Sequence, residues 1–315
     1  MMHRRFLLAI LAILLVAACG RRENKAAPPA PPERELGAGI TDAALLAHVN
    51  HLTSKELAGR KIGSPGEKAA AAYVEKHLKA AGFSPVGDTM IVPVVRSGLT
   101  GTLNVVGVKR GESDRVVLVG AHLDHLGERD GQLHPGADDN ASGVAALLEI
   151  CRELSNLPLK KTLVCVAFGG EEAGLVGSRA FVRERTIDPA KIDRMVNLDM
   201  LGRPLFESLF GQSKPDGLGV IVNRIPEAEL DGIIALAKTQ GVEIMSLPEI
   251  WIQKLQPGFA YDSMPFNEKD VSTLFFSSGL HADYHRPTDT ADRLAPRQLR
   301  NRTVTITKIV AKLAE

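Results

Sequence analysis

The chain has 315 residues, of which 44% are hydrophobic, 24% charged and 4% aromatic, with 38 Lys and Arg set against 37 Asp and Glu. That composition is globular and excludes a disordered or collagen-like chain. A net charge of +1 leaves no basic surplus for following a phosphate backbone, so no nucleic-acid partner is expected, and the length suits one large α/β domain or two smaller ones.

In chain order, His3, Arg4 and Arg5 precede an apolar run from Phe6 to Ala18 that is too short to span a bilayer comfortably and reads as an export signal. The run ends in Val16-Ala17-Ala18-Cys19-Gly20, which resembles the bacterial lipobox. The expectation is that residues 1–18 are removed and Cys19 is acylated; the alternative is an ordinary cleaved signal with a chance cysteine. Residues 19–38 contain Pro28, Pro29, Pro31 and Pro32 among Ala, Lys, Arg and Glu, a composition that favours an extended tether. Residues 39–315 are then expected to form the folded domain, held by lipid in a bacterial cell envelope, on the outer membrane facing the periplasm.

Within that domain a helix is predicted near Asp42 to Leu52. Ser64-Pro65-Gly66-Glu67 supplies a capping Ser, a proline at the first helical position and a Glu three residues after the cap, which predicts a second helix over 65–81 stopped by Gly82. Leu103 to Val108 and Val116 to Ala121 read as neighbouring strands across a charged turn. A helical run begins at Ser142 and Gly143, and Thr162 to Phe168 is a strand stopped by Gly169-Gly170. A helix from Leu175 to Arg185, a strand from Met195 to Asp199, a helix from Glu227 to Thr239, a strand from Thr273 to Ser277 and a last helix from Arg297 to Leu313 follow. Alternation of helices with strands apolar on both faces predicts a three-layer α/β/α domain around a mixed, largely parallel sheet. Pro204 to Pro257 is the least regular stretch and is expected to form an excursion over one edge. Cys151 and Cys165, with no Cys or His neighbour at ligand spacing, read as buried small hydrophobes rather than a disulfide.

The chemistry-bearing side chains fall just beyond strand ends: His122 and Asp124, Glu171 and Glu172, Asp199, and His285 after a short loop, with Asp139 entering the helix near Ser142. Open α/β sheets place ligands outside the carboxyl ends of their strands. Imidazole and carboxylate groups suit zinc, which accepts both at roughly 2.0 to 2.2 Å. Two ions about 3.5 to 4 Å apart need a shared anionic ligand to offset their repulsion. One bridging Asp with two further ligands for each ion makes five residues, and the chain supplies them with one Glu left over.

The stretches that carry these residues are Ala121-His122-Leu123-Asp124-His125-Leu126-Gly127, Gly136-Ala137-Asp138-Asp139-Asn140-Ala141-Ser142-Gly143, Phe168-Gly169-Gly170-Glu171-Glu172-Ala173-Gly174, Asn197-Leu198-Asp199-Met200 and Tyr284-His285-Arg286-Pro287-Thr288-Asp289-Thr290. In this order they resemble the co-catalytic zinc aminopeptidase family that includes glutamate carboxypeptidase, a likeness running from about Glu56, with Leu57-Ala58-Gly59-Arg60, to the C-terminus. The resemblance implies a bridging Asp139, with Glu172 and His285 completing one zinc and His122 and Asp199 the other. It makes Glu171 the general base that takes a proton from a metal-bridging water, Asp124 the carboxylate that orients His122, and Tyr284 the phenol that hydrogen-bonds the tetrahedral oxyanion. It also implies a cis Asp139-Asn140 peptide. The expected activity is that of a di-zinc aminopeptidase acting on peptides.

Taken singly, these residues have blander readings. Asp139 reads as a cap, Glu171-Glu172 as a solvated helix start and Tyr284 as packing; the ordered set reverses that weighting. His48, His51 and His77 read as surface or packing residues, while His125, His134 and His281 lie close enough to ligands for a supporting or substrate-contact role. Many relatives have Ser-Asp-His-x-Pro-Phe where this chain has Tyr261-Asp262-Ser263-Met264-Pro265-Phe266, which removes a histidine near the pocket. Alternatives on the same scaffold are a one-zinc glutaminyl cyclase, a carboxypeptidase or dipeptidase, for which Arg203 and Arg286 are the candidate carboxylate clamps, and a non-catalytic binding module. Oligomeric state and the preferred terminal residue are not legible.

Overall fold

The computed structural model describes residues 35–95, 101–205, 207, 214–250, 254 and 258–315. The export signal, Cys19 and most of the tether lie outside the described residues. Residues 35–315 form a single compact unit.

The elements are α1 (Asp42–Leu52), α2 (Pro65–Ala80), β1 (Ile91–Val94), β2 (Thr102–Lys109), β3 (Ser113–His122), β4 (Gly127–Arg129), β5 (Gln132–His134), α3 (Gly143–Leu154), β6 (Lys161–Phe168), α4 (Val176–Arg183), β7 (Ile192–Leu198), β8 (Gly217–Asn223), α5 (Glu227–Thr239), β9 (Glu243–Pro248), α6 (Met264–Asn267), β10 (Thr273–Ser277) and α7 (Pro296–Leu313). The capped start of α2 forms as its sequence predicts: Ser64 Oγ accepts from the Glu67 amide at 3.1 Å, and the Glu67 carboxylate reaches back to the Gly63 amide at 2.6 Å. Gly82 closes this helix in the left-handed conformation, at φ 78°.

Eight strands form one sheet in the order β1-β2-β6-β3-β7-β10-β8-β9, and β4 and β5 make a separate hairpin. The centre, β6-β3-β7-β10, is parallel; β1, β2 and β8 add antiparallel pairings, and β9 runs parallel to β8. Strand alternation divides the core between the two faces. On one face Val117, Val119, Leu163, Cys165 and Ala167 pack with α1, α2, α3 and α7; on the other Val116, Leu118, Val164, Val166 and Phe168 pack with Phe181 of α4 and Phe266 of α6. From β3 the chain crosses by α3 on one face to β6, then by α4 on the opposite face to β7 on the other side of β3. The direction of winding therefore reverses at β3, and a crevice opens beyond its carboxyl end.

Two expectations are corrected. Cys151 and Cys165 are bonded to one another, tying α3 to β6. Cys151 sits on the face of α3 that covers Cys165, so two isolated thiols of the sequence become neighbours only when helix and strand pack. Closing a loop of this length restricts the unfolded chain by about 3 kcal/mol. The stretch from Pro204 to Pro257 also contributes more order than expected, since β8 pairs with β10 and β9 with β8, extending the sheet edge. Strand β1 and the β4-β5 hairpin were not foreseen either, because β1 is four residues with Pro93 inside and each hairpin strand has three residues.

Candidate metal centre

His122 is the last residue of β3, and Asp199 follows β7 directly. Asp139 lies in the turn at 137–142, whose Asp139–Asn140 peptide is cis. The Asn140 side chain fixes this turn to the end of β7: Nδ2 donates to the Leu198 carbonyl at 2.9 Å, and Oδ1 accepts from the Gly143 and Met200 amides at 3.0 and 3.2 Å. Glu171 and Glu172 follow the Gly169-Gly170 break after β6. His285 stands after β10 in left-handed backbone, at φ 57°, a conformation that costs a side-chain-bearing residue on the order of 1–3 kcal/mol and concentrates at functional sites.

These strand ends bring the five expected ligands together. His122 Nε2 is 3.2 Å from Asp139 Oδ1 and 3.3 Å from Asp199 Oδ1. His285 Nε2 is 3.3 Å from Asp139 Oδ2 and 3.1 Å from Glu172 Oε2. Each imidazole nitrogen thus faces two carboxylates, although one N–H proton serves only one of them well. Two ligand atoms at roughly 2.0–2.1 Å from one tetrahedral zinc stand about 3.3 Å apart. All four separations match that edge, so the donor set fits a pair of cations sharing Asp139.

Electrostatics point the same way. Burial pulls the His122 imidazole down, yet Asp199 and Asp139 lift it well above its ordinary value. Burial pushes Asp139 up, but His125, His122 and His285 together hold it well below the usual carboxylate range. Burial raises the Glu171 carboxyl well above normal; His122 opposes the shift, and Asp262, Asp199 and Glu172 add to it. Buried Asp262 is pushed up to about 7. A pocket with this many acids under low exposure is relieved by protons held on some of them or by cations bound among them.

Asp124 holds this arrangement differently from expectation. Its carboxylate accepts the backbone amides of Glu171 and Glu172 at 3.0 and 3.3 Å, and it lies 3.9 Å from His122 Nδ1. It is the Asp124 main-chain carbonyl, at 3.1 Å, that meets Nδ1. Tyr284 stacks on His285 with ring centroids 3.8 Å apart. Burial raises its phenol, and the carboxylates of Asp139, Glu172, Asp199 and Glu171 raise it further, so it stays protonated.

Three further residues support the site: Asp289 and Arg60, which were not assigned from the sequence, and His125, which was read as a supporting or substrate-contact candidate. Asp289 accepts the amides of Asp138 and Asp139 at 3.0 to 3.1 Å, linking the His285 loop to the turn that carries Asp139. Fully buried Arg60 donates to the carbonyls of Leu123, Pro135 and Gly136, bracing the segments that carry His122 and Asp139. His125 approaches Glu172 Oε1 at 2.8 Å. All three stand inside the quoted motifs, which were the available signal. Arg203, a candidate carboxylate clamp, is instead engaged by Glu207 at 2.9 Å and Asp283 at 3.0 Å.

Residues 104–310 match the model of peptidase family M28. Among relatives, leupeptin-inactivating enzyme 1 of Streptomyces exfoliatus is 32% identical over 62% of this chain and 42% of its own length. The probable lipoprotein aminopeptidase LpqL of Mycobacterium tuberculosis is 47% identical over 30% of this chain and 19% of its own. The chain therefore spans less than half the length of these relatives. The fold is shared with a solved zinc aminopeptidase from Bacillus subtilis, at TM-score 0.68 and 16% identity, covering 90% of this chain and 97% of that one. It is also shared with a glutaminyl cyclase from Porphyromonas gingivalis, at TM-score 0.66 and 17% identity, covering 87% and 99%.

Proposed function

Because the chain belongs to peptidase family M28, we propose that it is a zinc-dependent aminopeptidase, working with two ions and releasing N-terminal residues from peptides. The observation that carries this reading is Asp139, whose two carboxylate oxygens each face a different histidine-carboxylate pair. His122, Asp199 and Asp139 would hold one ion; Asp139, Glu172 and His285 would hold the other. When bound, such a pair polarises the scissile carbonyl and lowers the pKa of a coordinated water.

The chain's own residues supply the rest. Glu171 belongs to neither ligand set, and its burial and neighbouring carboxylates raise its proton affinity. With cations bound beside it to keep it ionised, Glu171 as the carboxylate would accept the proton of the attacking water and, as the acid so formed, pass it to the departing amine. Asp124, by fixing the amides of both glutamates, keeps the base and the ligand on separate bearings. The protonated Tyr284 donates to the developing oxyanion.

Of the two candidate clamps for a substrate carboxylate, Arg203 already has two acidic partners while Arg286 is exposed; binding of the amino end is supported by the aminopeptidase named among the relatives. Incubating the zinc-loaded chain with a mixed peptide library and reading products by mass spectrometry is expected to show shortening from the N-terminus. Shortening from the C-terminus, or cyclisation of N-terminal Gln without release of amino acids, would overturn the assignment.

The lipobox-like segment and the lipoprotein named among the relatives support attachment to a cell envelope through Cys19. Among the described residues no helix is long and apolar enough to cross a membrane. Metabolic labelling with palmitate is expected to mark the wild type and not Cys19→Ala; equal labelling of both, or of neither, removes the anchor.

A further inference from the structure

We propose that Asn104 of β2 is a positioning residue for the general base: its side-chain amide ties the two ends of the loop 169–177 to one another, and so fixes where that loop carries Glu171. The inference rests on the reading of Glu171 given above and adds a residue from a strand that supplies no ligand.

Asn104 is buried, 2% exposed, in a strand where Val106 and Val108 follow it at alternate positions on the same apolar face. An amide buried there is costly unless both of its polar groups are paired. Oδ1 accepts from the Gly169 amide at 3.2 Å, and Nδ2 donates to the Gly177 carbonyl at 2.9 Å. Those partners leave the side chain one orientation, since the N–H needs the oxygen and the C=O needs the amide hydrogens. The Gly177 amide also donates to the Gly169 carbonyl at 2.8 Å, which closes the base of the loop. Both feet rest directly on β2: a Cβ on Gly169 would lie 2.3 Å from the Leu103 carbonyl oxygen, and one on Gly177 would lie 2.2 Å from Asn104 Oδ1.

Between those feet the chain carries Glu171 and Glu172 and turns through left-handed backbone at Gly170, Gly174 and Leu175, with φ 73°, 95° and 61°. Regular structure does not set its course, so the course depends on where it is held. Asp124, beyond β3, grips the loop at the Glu171 and Glu172 amides. With that grip alone the loop could pivot; the Asn104 hold, from a different strand, removes the pivot. Glu172 would in addition be held by its ion, so the side chain that depends most on the base of the loop is Glu171. A reacting group displaced by about 1 Å can lose on the order of 100-fold in rate.

The test is a double-mutant cycle at saturating zinc on the wild type, Asn104→Ala, Glu171→Gln and the two together, reading zinc content and the steady-state release of amino acid from a peptide. Asn104→Ala is expected to keep the zinc content and KM of the wild type and to lower kcat about 10- to 100-fold. Added to Glu171→Gln it should lower kcat no further, because residues that act through one group are not additive. The proposal is overturned by a wild-type kcat in Asn104→Ala, by a kcat lost only together with zinc, or by losses that multiply in the double variant, as they do for a residue that merely supports the fold. Thermal unfolding checks folding. Should Asn104→Ala not fold, Asn104→Asp decides: its protonated carboxyl can accept from Gly169 and donate to Gly177, while the ionised form sets a negative oxygen against the Gly177 carbonyl. Its kcat relative to the wild type is expected to fall as pH rises; a ratio that is flat or rises would overturn the proposal. Full turnover in Glu171→Gln alone defeats the general-base reading separately, and the role of Asn104 falls with it.

Discussion

Replacing Glu171 by Gln is expected to lower kcat by about 10²- to 10⁴-fold with zinc content unchanged. The amide keeps the size of the side chain but can neither accept nor return a proton. The backbone amides at 171 and 172 remain on Asp124, so Glu172 keeps its place among the ligands. The effect should fall on kcat rather than KM, because the contacts of Glu171 enter when the proton moves and not when peptide binds. The same carboxyl is raised well above its ordinary value by burial. Turnover that survives in Glu171→Gln would remove the base from the account.

Replacing Asp139 by Asn is expected to abolish activity and release both ions, a larger effect than any other single ligand change. Among the described residues, Asp139 is the carboxylate in contact with both His122 and His285. The amide removes the negative charge that would offset repulsion between the two cations, and it puts a donor where an acceptor is needed. By contrast, Asp199→Asn alters one contact pair and should weaken one ion. Melting curves give an independent reading: added zinc should stabilise the wild type through preferential binding to the folded state and leave Asp139→Asn unmoved. An Asp139→Asn variant that still binds two ions, or that loses one ion as Asp199→Asn does, contradicts the bridging role.

Much of the clustering was legible in the sequence because the candidate ligands sit where physical punctuation is strongest. Val116 to Ala121, Thr162 to Phe168 and Met195 to Leu198 are apolar on both faces, so they read as central strands, and a polar residue at each carboxyl end has few roles except in the crevice. The capped start of α2 was legible for the same local reason. What escaped depends on approach between distant segments. Cys151 and Cys165 lie on a helix and a strand with no shared period, and only packing brings their sulfurs together. The grip of Asp289 on the turn at 138–139 spans the chain from the last loop to the α3 entrance. His125 follows Asp124 by one residue and His122 by three, yet nothing in that spacing says which imidazole faces Glu172 at 2.8 Å and which at 3.1 Å. Strands β8 and β9 were missed because partial burial blurs the alternation: β8, paired on both sides, mixes buried and half-buried positions, and β9, at the sheet edge, is half-buried along most of its length.

Crystals of the zinc-loaded chain, measured on both sides of the zinc absorption edge, test the central claim most directly. The expected anomalous map has two peaks, one bounded by His122 and Asp199, the other by Glu172 and His285, with an oxygen of Asp139 on each and Glu171 bonded to neither. A single peak, or a pair in which Asp139 touches only one, would contradict it.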